Sequence, residues 1–414
     1  HEGWHKMKEL FECLACDKKF PVDVFNTFCP DCKEPLLYHY PEKKRTIHKD
    51  QTHAFEVFLD FLPFEEIDHS LLLGEGNSPL VKLKRISKGC HVPFMYVKDE
   101  SSNPTGSFKD RGTAVAIQKV ISLKIDKIGT VSTGNMATST AAYGAKANRR
   151  TFVLIKEDIS TEKLLSCGVY GPVMIKVAGD YGELTYKSFD LGRKHGICFM
   201  NAVDPFRIEG YKVIGLEIFL QLGKQPPDYI FAPVSSGGHL IGLVRAYLEL
   251  KQQGLIERLP IFIGVQAEGC SPIARAFRTG ESRVERITKA NTVAQAITNP
   301  DPPGGNMILN MIRQNNGRIL AVSDADILAA QKMLAEKEGI FCLPASATIL
   351  AGFFQMAKTD IFKATDKVVL VVTGTGMKNM KVLNPSQMSF FHSSLSNLED
   401  TLLSTIDLLR MSVD

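Results

Sequence analysis

The 414-residue sequence has little of several features that mark specialised protein classes. It contains no run of about 18 apolar residues, so we expect no transmembrane helix. Its 49 basic and 45 acidic residues leave a net charge of only +4, which does not by itself indicate a nucleic-acid-binding protein. Nine cysteines are too few for a disulfide-stabilised scaffold. We find no internal repeat and no low-complexity segment.

What remains is the composition of a compact enzyme-sized chain. The hydrophobic fraction is 44% and the charged fraction is 23%. At roughly 150 residues per domain, the length predicts two or three domains. Residues 1–6 lack the apolar core of a secretory signal, and we interpret them as a remnant of cloning. We therefore expect a reducing compartment, the cytoplasm, with no membrane and no nucleic-acid partner.

Four of the cysteines form two pairs near the start of the chain. Cys13 and Cys16 are followed, after twelve residues, by Cys29 and Cys32. Each Cys-x-x-Cys pair suits a tight turn that directs two thiolates at one ion, and four thiolates complete a tetrahedral zinc site. The segment between the pairs is too small for a hydrophobic core of its own. We predict a structural zinc ribbon over residues 7–45; a metal-free site or a labile disulfide pair is the alternative.

From about Leu72 onward, short β-branched runs alternate with helical patterns. Continuous apolar strands separated by helices predict an α/β fold whose parallel sheets are covered on both faces. The strand candidates are residues 93–100, 128–133, 151–157, 173–179, 229–234, 261–269 and 367–376. The helix candidates are residues 111–124, 138–148, 210–223 and 324–339.

The end of the chain changes in character. Residues 381–414 begin with a polar, serine-rich stretch and continue with leucine and isoleucine at helical spacing. This pattern predicts an amphipathic helical tail, packed on the body of the protein or on a second subunit, without a part in the chemistry.

The most informative segment runs from Asp99 to Gly112. A strand ends there, a Pro-Gly turn follows, and Lys109 stands where a helix begins. At such a place an amine can project into a cleft and lose part of its hydration, which lowers its pKa and makes it a nucleophile. A single lysine at a helix start is usually a solvated surface residue, so the surrounding phrase decides the interpretation.

That phrase resembles the lysine motif of the fold-type-II pyridoxal-phosphate enzymes, and within them most closely the threonine synthase family. Further motifs follow in the family's order across residues 70–380. They are Leu73–Leu80, Ser132–Ser139, Val203–Gly210, Val265–Gly269, Glu338–Ser346 and Thr373–Lys378. Some threonine synthases, and the related cysteate synthases, also carry an N-terminal four-cysteine ribbon.

The resemblance implies a larger pyridoxal-phosphate-binding α/β domain formed by residues 46–100 and 211–380. It implies a smaller α/β domain, with the asparagine loop, over residues 101–210. The chain would then act as a homodimer on a small amino-acid phosphate.

The resemblance also implies a role for each matched residue. Lys109 would carry the cofactor and move protons, Asn135 would bind the cofactor's ring hydroxyl, and Thr373 would face its ring nitrogen. The cofactor-binding residues would be Phe108, Lys109, Asn135, Ser235, Ser236, Gly237, Gly238, His239 and Thr373. The substrate-binding residues would be Ser132, Thr133, Gly134, Met136, Ala137, Lys163, Asn201 and Arg207. Lys163 and Arg207, with Asn201, would bind the substrate's phosphate.

The loop after the strand at residues 229–234 suits a phosphate on physical grounds. Gly237 and Gly238 allow close approach of backbone amides at the start of a helix. The rival interpretation, a dinucleotide site at Gly374-x-Gly376, lacks a third glycine and a downstream acidic partner.

The chain departs from the family pattern in three places, which involve four residues. Met136 stands where a small hydroxyl residue is usual, Ser235 and His239 replace glycine and asparagine, and Leu343 stands where an acidic residue is common. We expect His239 to be a loop residue near the cofactor's phosphate rather than a general base.

The implied activity is that of a carbon–oxygen lyase acting on phosphates, which converts O-phosphohomoserine and water to threonine and phosphate. Two enzyme alternatives keep the cofactor and change the substrate: cysteate synthase, and threonine or serine dehydratase. A third alternative is a non-catalytic paralogue that binds the cofactor or a partner.

Overall fold

The computed structural model describes residues 9–383 and 390–411. Residues 1–6, which we interpret as a remnant of cloning, therefore lie outside the described residues, as do parts of the predicted tail. The chain divides into two compact units, the first ending at Met377 and the second beginning at Lys378. In the second unit, a helix from Leu398 to Met411 agrees with the predicted helical tail.

Three sheets organise the first unit. The ribbon sheet is antiparallel with order β2-β1-β3, the four-stranded sheet is parallel with order β8-β7-β6-β9, and the six-stranded sheet has order β12-β11-β10-β13-β5-β4. In the six-stranded sheet only β4 runs antiparallel. The strands are β1 Leu10–Glu12, β2 Lys19–Pro21, β3 Leu37–His39, β4 Leu80–Lys82, β5 Phe94–Asp99, β6 Lys127–Val131, β7 Arg150–Lys156, β8 Val173–Val177, β9 Ile197–Phe199, β10 Tyr229–Pro233, β11 Ile261–Ala267, β12 Arg318–Val322 and β13 Lys367–Val372.

Helices connect the strands and cover the sheets. In the first unit they are α1 Ala54–Val57, α2 Arg85–Cys90, α3 Lys109–Ser122, α4 Asn135–Lys146, α5 Thr161–Gly168, α6 Tyr181–His195, α7 Pro205–Gln221, α8 Gly238–Gln252, α9 Pro272–Thr279, α10 Gly305–Gln314, α11 Asp324–Glu338 and α12 Pro344–Ala357. The helix of the second unit is α13 Leu398–Met411. Among the described residues, none of these helices is both long and apolar enough to cross a membrane.

The parallel arrangement follows from the strand sequences. Every residue of β10 is buried, and so are five of the six residues of β13. A strand without a polar face is stable only where helices cover both sides of its sheet. All seven predicted strands are present, and the predicted α/β class is confirmed.

The four-stranded sheet lies within residues 127–199, and the six-stranded sheet is built from residues 80–99 and 229–372. The proposed boundaries of a smaller domain at 101–210 and a larger one around it stay a prediction, because the chain up to Met377 forms one compact unit.

Helices α3 and α7 cross closely beneath the site described below. A Cβ atom on Gly210 would collide with the carbonyl oxygen of Arg111, and one on Gly112 would collide with the ring of Tyr211. Glycine is therefore required at both positions for the two helix backbones to reach their observed separation.

A buried ion cluster, the Arg111 cluster, joins this helix pair to β5. The Arg111 guanidinium contacts Glu100 at 2.5 Å and Glu217 at 2.7 Å, and the Lys98 amine contacts Glu217 at 2.5 Å. Although burial alone would raise it, the charges of Arg111 and Lys98 hold the pKa of Glu217 at about 2. Removing one member of such a cluster leaves an unpaired buried charge, which costs roughly 3–5 kcal/mol.

Candidate active site

A cavity of about 630 Å³ is lined by the loops that follow β5, β6, β10 and β13. These loops all leave the carboxyl ends of parallel strands, where ligands bind in open α/β sheets. Fourteen of the residues predicted from the sequence line it: Phe108, Lys109, Ser132, Thr133, Gly134, Asn135, Met136, Asn201, Ser235, Ser236, Gly237, Gly238, His239 and Thr373.

Lys109 is the first residue of α3 and projects into this cavity. Its side chain as a whole is only half-buried, because part of it faces the cavity, but dense protein surrounds the amine. Burial lowers the pKa of Lys109, and the positive charge of Arg207 lowers it further, to about 7. Near pH 7, the Lys109 amine is therefore neutral, and nucleophilic, in about half of the protein molecules.

Aromatic rings enclose the Lys109 amine. Its Nζ atom lies 4.5 Å from the ring centre of Phe108 and 5.7 Å from that of Tyr211. Aromatic faces favour a cation, by roughly 0.5–2 kcal/mol. The net pKa is nonetheless low, so the loss of hydration outweighs this attraction.

Backbone hydrogen bonds hold the lysine loop against the end of β13. The Phe108 N–H donates to the Thr373 carbonyl at 3.0 Å, and the Thr375 N–H donates to the Gly106 carbonyl at 3.0 Å. The hydroxyls of Thr373 and Ser346 are 2.8 Å apart, which fixes the direction of the threonine side chain. Lys109 and Thr373 are thus set on one wall by main-chain contacts rather than by flexible side chains.

The glycine loop between β10 and α8 forms another wall. Gly237 has φ +104°, in the region that favours glycine, and a Cβ on Gly238 would collide with the carbonyl oxygen of Ala202. No side chain caps the start of α8, so its first amides face the cavity as anion donors. Ser236 supports the loop, since its hydroxyl accepts from Asn299 at 2.8 Å and its carbonyl accepts from the Gly304 N–H at 2.8 Å.

His239 is buried on this wall, and its ring centre lies 4.4 Å from that of Phe108. Neither ring nitrogen has a hydrogen-bond partner of good geometry. Burial, together with the neighbouring Lys109 amine, lowers the pKa of His239 to about 3. The imidazole is therefore neutral at physiological pH. His239 is the second residue of α8, so the expectation of a loop residue is corrected, while its role beside the cofactor's phosphate stays a prediction.

The asparagine loop lies between β6 and α4. Asn135 is the first residue of α4, and no side chain caps that helix start. Nearby, Asn201 accepts from the Val131 N–H at 2.9 Å through Oδ1, while its buried Nδ2 has no hydrogen-bond partner. This part of the cavity therefore offers a helix N-terminus and a free amide donor to an anion.

Three of the predicted substrate residues are not on the cavity wall. Ala137 is buried one residue beyond Met136. Lys163 lies in α5, but its side chain is outside the described residues. Arg207 is fully buried, and its guanidinium donates to the Met200 carbonyl at 2.9 Å, to Thr113 at 2.8 Å and to Thr140 at 2.6 Å. Its guanidinium is occupied by these three acceptors, and its charge lowers the pKa of Lys109; contact of Arg207 with a substrate phosphate stays a prediction.

Several lining residues were missed by the sequence analysis. Arg286 forms an ion pair at 3.0 Å with Asp180, and both line the cavity, as does the segment 295–301. The run Asn299–Gly305 is rich in proline and glycine, a turn signal that could have indicated a loop at the site. Arg286 itself stands in no recognisable pattern.

The predicted cysteine ligands meet at one point of the ribbon. The Sγ atoms of Cys13, Cys16, Cys29 and Cys32 all lie within 4.8 Å of one another. A tetrahedral zinc ion with Zn–S bonds of roughly 2.3 Å requires sulfur separations of roughly 3.8 Å. The distances of 3.3 Å for Cys13–Cys32 and 3.7 Å for Cys16–Cys29 fit such a site.

Comparisons with known proteins decide the family. Residues 71–374 match the family described as "Pyridoxal-phosphate dependent enzyme". The threonine synthase of Methanocaldococcus jannaschii is 33% identical over 377 residues, covering 89% of this chain and 93% of the relative. That of Halalkalibacterium halodurans is 36% identical, covering 78% and 89%. The chain belongs to the threonine synthase family of pyridoxal-phosphate-dependent enzymes.

Solved structures agree on the fold of this threonine synthase family member. Threonine deaminase isoform 2 from Solanum lycopersicum superposes with a TM-score of 0.63 at 19% identity, covering 87% of this chain and 94% of that chain. Serine racemase from Dictyostelium discoideum gives 0.61 at 23% identity, covering 73% and 92%. The predicted family, the fold-type-II architecture and the assignment as a threonine synthase-like lyase are confirmed.

The cavity of this family member fits pyridoxal phosphate. It provides a partly deprotonated lysine amine, a glycine loop in which added Cβ atoms would collide with backbone, and an uncapped helix start. The amine suits the aldehyde and the loop suits the phosphate. The individual roles of the lining residues stay a prediction.

We predict that binding of pyridoxal phosphate to the apoprotein depends on pH with a midpoint near 7. Only the neutral Lys109 amine attacks the aldehyde, so the rate should rise about tenfold per pH unit below the midpoint and level off above pH ~8. Stopped-flow absorbance between pH 6 and 9 measures this rate. A rate that still climbs tenfold per unit at pH ~9 is the behaviour of an ordinary lysine, whose pKa is about 10.4, and would contradict the assignment.

Proposed function

We propose that the protein converts O-phosphohomoserine and water into threonine and phosphate by β,γ-elimination and replacement. The main support for this proposal is the Lys109 amine, whose pKa is about 7. The amine lies in a cavity that is also lined by the N-termini of α4 and α8, neither of which has a side-chain cap. Pyridoxal phosphate, when bound, supplies the electron sink that acidifies the carbon–hydrogen bonds of an amino acid.

Lys109 would then act as base and acid in turn. An amine with a pKa near 7 accepts a proton readily and also returns it readily at physiological pH. Arg207, which is buried behind the cavity wall, keeps the pKa of Lys109 low, because its fixed positive charge opposes protonation of the amine. Thr373 presents a hydroxyl, which cannot enforce a positive charge on a ring nitrogen as a carboxylate would. That restraint favours chemistry at the substrate's side chain over transamination.

The substrate carries two anionic groups, a carboxylate and a phosphate. The start of α4 and the loop Ser132–Asn135 offer backbone donors for the carboxylate. The unpaired Nδ2 of Asn201 offers a donor for the phosphate. Arg207 contributes positive potential from the interior, and Lys163 on α5 completes the set that the sequence predicts.

Turnover of O-phosphohomoserine tests this proposal. The wild-type protein should release phosphate and threonine in equal amounts, and Lys109→Ala should lose at least about a thousandfold in rate, because Lys109 is the amine that the family motif places at the cofactor. O-phosphoserine with sulfite, and L-threonine alone, serve as the competing substrates. Preferred turnover of either one would favour cysteate synthase or a dehydratase, and no turnover of any with cofactor bound would favour a non-catalytic paralogue.

Met136 stands where the resemblance described above leads us to expect a small hydroxyl residue. It is buried beside Asn135 on the cavity wall. A thioether can neither donate to a phosphate nor orient a water molecule well, whereas a hydroxyl can do both. We predict weak wild-type activity on O-phosphohomoserine, or a preference for another substrate.

Met136→Thr should raise kcat/KM for O-phosphohomoserine about ten- to a hundredfold. This is the rate gain expected from one additional charge-assisted hydrogen bond in the transition state. Met136→Leu, which changes shape without adding a hydroxyl, is the matched control and should not gain. If the wild type already turns over O-phosphohomoserine rapidly and Met136→Thr is slower, the prediction is wrong and other groups position the attacking water.

We also propose that the ribbon holds a structural zinc ion. Four thiolates satisfy a tetrahedral ion and leave no position for substrate, so the metal would stabilise the fold and take no part in turnover. The ribbon sheet has three strands of three residues each, and a metal supplies the stability that so small a core cannot.

Metal analysis of protein purified without chelator should give about one zinc per chain. Cys32→Ser should remove the zinc and lower the Tm, whereas Cys90→Ser, a cysteine outside the ribbon, should do neither. Less than about half an equivalent in the wild type would contradict the proposal. A homodimeric state and a cytoplasmic location remain our predictions from the sequence.

A further inference from the structure

One cavity-lining residue, Phe28, comes from the ribbon. It is half-buried and immediately precedes Cys29, one of the four clustered cysteines. Its ring centre lies 5.8 Å from that of Tyr186 and 5.6 Å from that of Phe189, the latter pair edge-to-face at 87°. Both partners are on α6 and also line the cavity. We call Phe28, Tyr186 and Phe189 the mouth cluster.

The mouth cluster stands where the cavity meets solvent. Tyr186 is 53% exposed and lines the cavity at the same time. A side chain that meets both conditions lies at the opening, and the contact with Phe28 narrows the opening from the ribbon's side.

The ribbon is fastened to both sides of this opening. On the α6 side, Asp23 forms an ion pair with Arg193 at 2.8 Å. On the opposite side, Glu34 accepts from Asn306 at 2.8 Å, just beyond the Gly304 backbone that supports the glycine loop. These contacts hold the ribbon, and with it Phe28, in a defined position at the opening of the cavity.

We propose that Phe28 is a specificity-determining residue: the ribbon supplies one wall of the mouth of the active-site cavity and limits the size of the molecules that reach Lys109. This proposal rests on the proposed function only in that the cavity holds pyridoxal phosphate. A chain without the ribbon's Phe28 ring would admit amines with longer side chains.

Access can be measured without the natural reaction. Hydroxylamine and its bulkier relative O-benzylhydroxylamine both form an oxime with the cofactor's aldehyde carbon and release the Lys109 amine, which changes the visible absorbance of the holoenzyme. The ratio of the second-order rate constants, bulky over small, reports the width of the opening and cancels changes in the intrinsic reactivity of the cofactor.

Phe28→Ala should raise the ratio of the bulky to the small rate constant about tenfold, because it removes a modest steric barrier at the opening. Tyr186→Ala should also raise the ratio, from the α6 side of the opening and with no substitution in the ribbon. Phe20→Ala is the matched control, since it makes the same change in the ribbon at a residue that does not line the cavity, and its ratio should stay at the wild-type value.

An unchanged ratio in Phe28→Ala overturns the proposal. An equal rise in Phe20→Ala also overturns it, because general loosening of the ribbon would then explain the effect. Should Phe28→Ala fail to fold, Phe28→Leu and Tyr186→Ala decide by the same ratio. Failure of the enzyme to use O-phosphohomoserine would leave this result unaffected, so the two proposals can fail separately.

Discussion

Arg111 lies buried between the carboxylates of Glu100 and Glu217, and this contact fixes where α3 begins. Glu100 directly follows β5, while Glu217 belongs to α7, so a single guanidinium joins a strand end to two crossing helices. Lys109 is two residues away, so the cluster holds the first turn of its helix against β5 and α7. A buried charge cluster of this kind adds little net stability, but breaking it is costly. The chain therefore gains a defined geometry at the site rather than a more stable core.

The same region shows why the site is reactive. Acidic partners surround Arg111, yet the charged group that influences the Lys109 amine is another cation, Arg207. Burial and repulsion lower the pKa of both Lys109 and its neighbour His239, so the imidazole is neutral and the Lys109 amine is only partly protonated near pH 7. A dianionic cofactor and an anionic substrate complete the electrostatics that the protein leaves unbalanced.

Much of this could be predicted from the sequence, because long apolar strands and the glycine-rich loops after them leave distinct local patterns. The strands β4, β9 and β12 were missed, since three to five residues carry too little pattern to separate them from loops. The burial of Arg207 could not be predicted, because α7 is buried on every side from Pro205 to Phe219 and its sequence has no polar face to indicate direction. Phe28 and Arg286 could not be found, because the cavity wall brings together segments far apart in the chain.

The order of strands in the six-stranded sheet has a consequence for biosynthesis. β13 is the last strand of the sheet to leave the ribosome, yet it lies in the middle, paired with β10 on one side and β5 on the other. Until it is made, the nascent chain holds two incomplete sheet fragments with open edges, and such edges invite aggregation. Pairing partners so distant in sequence also slow folding. Thr373 follows β13 directly, so a nascent chain acquires its complete cofactor site only in the final steps of synthesis.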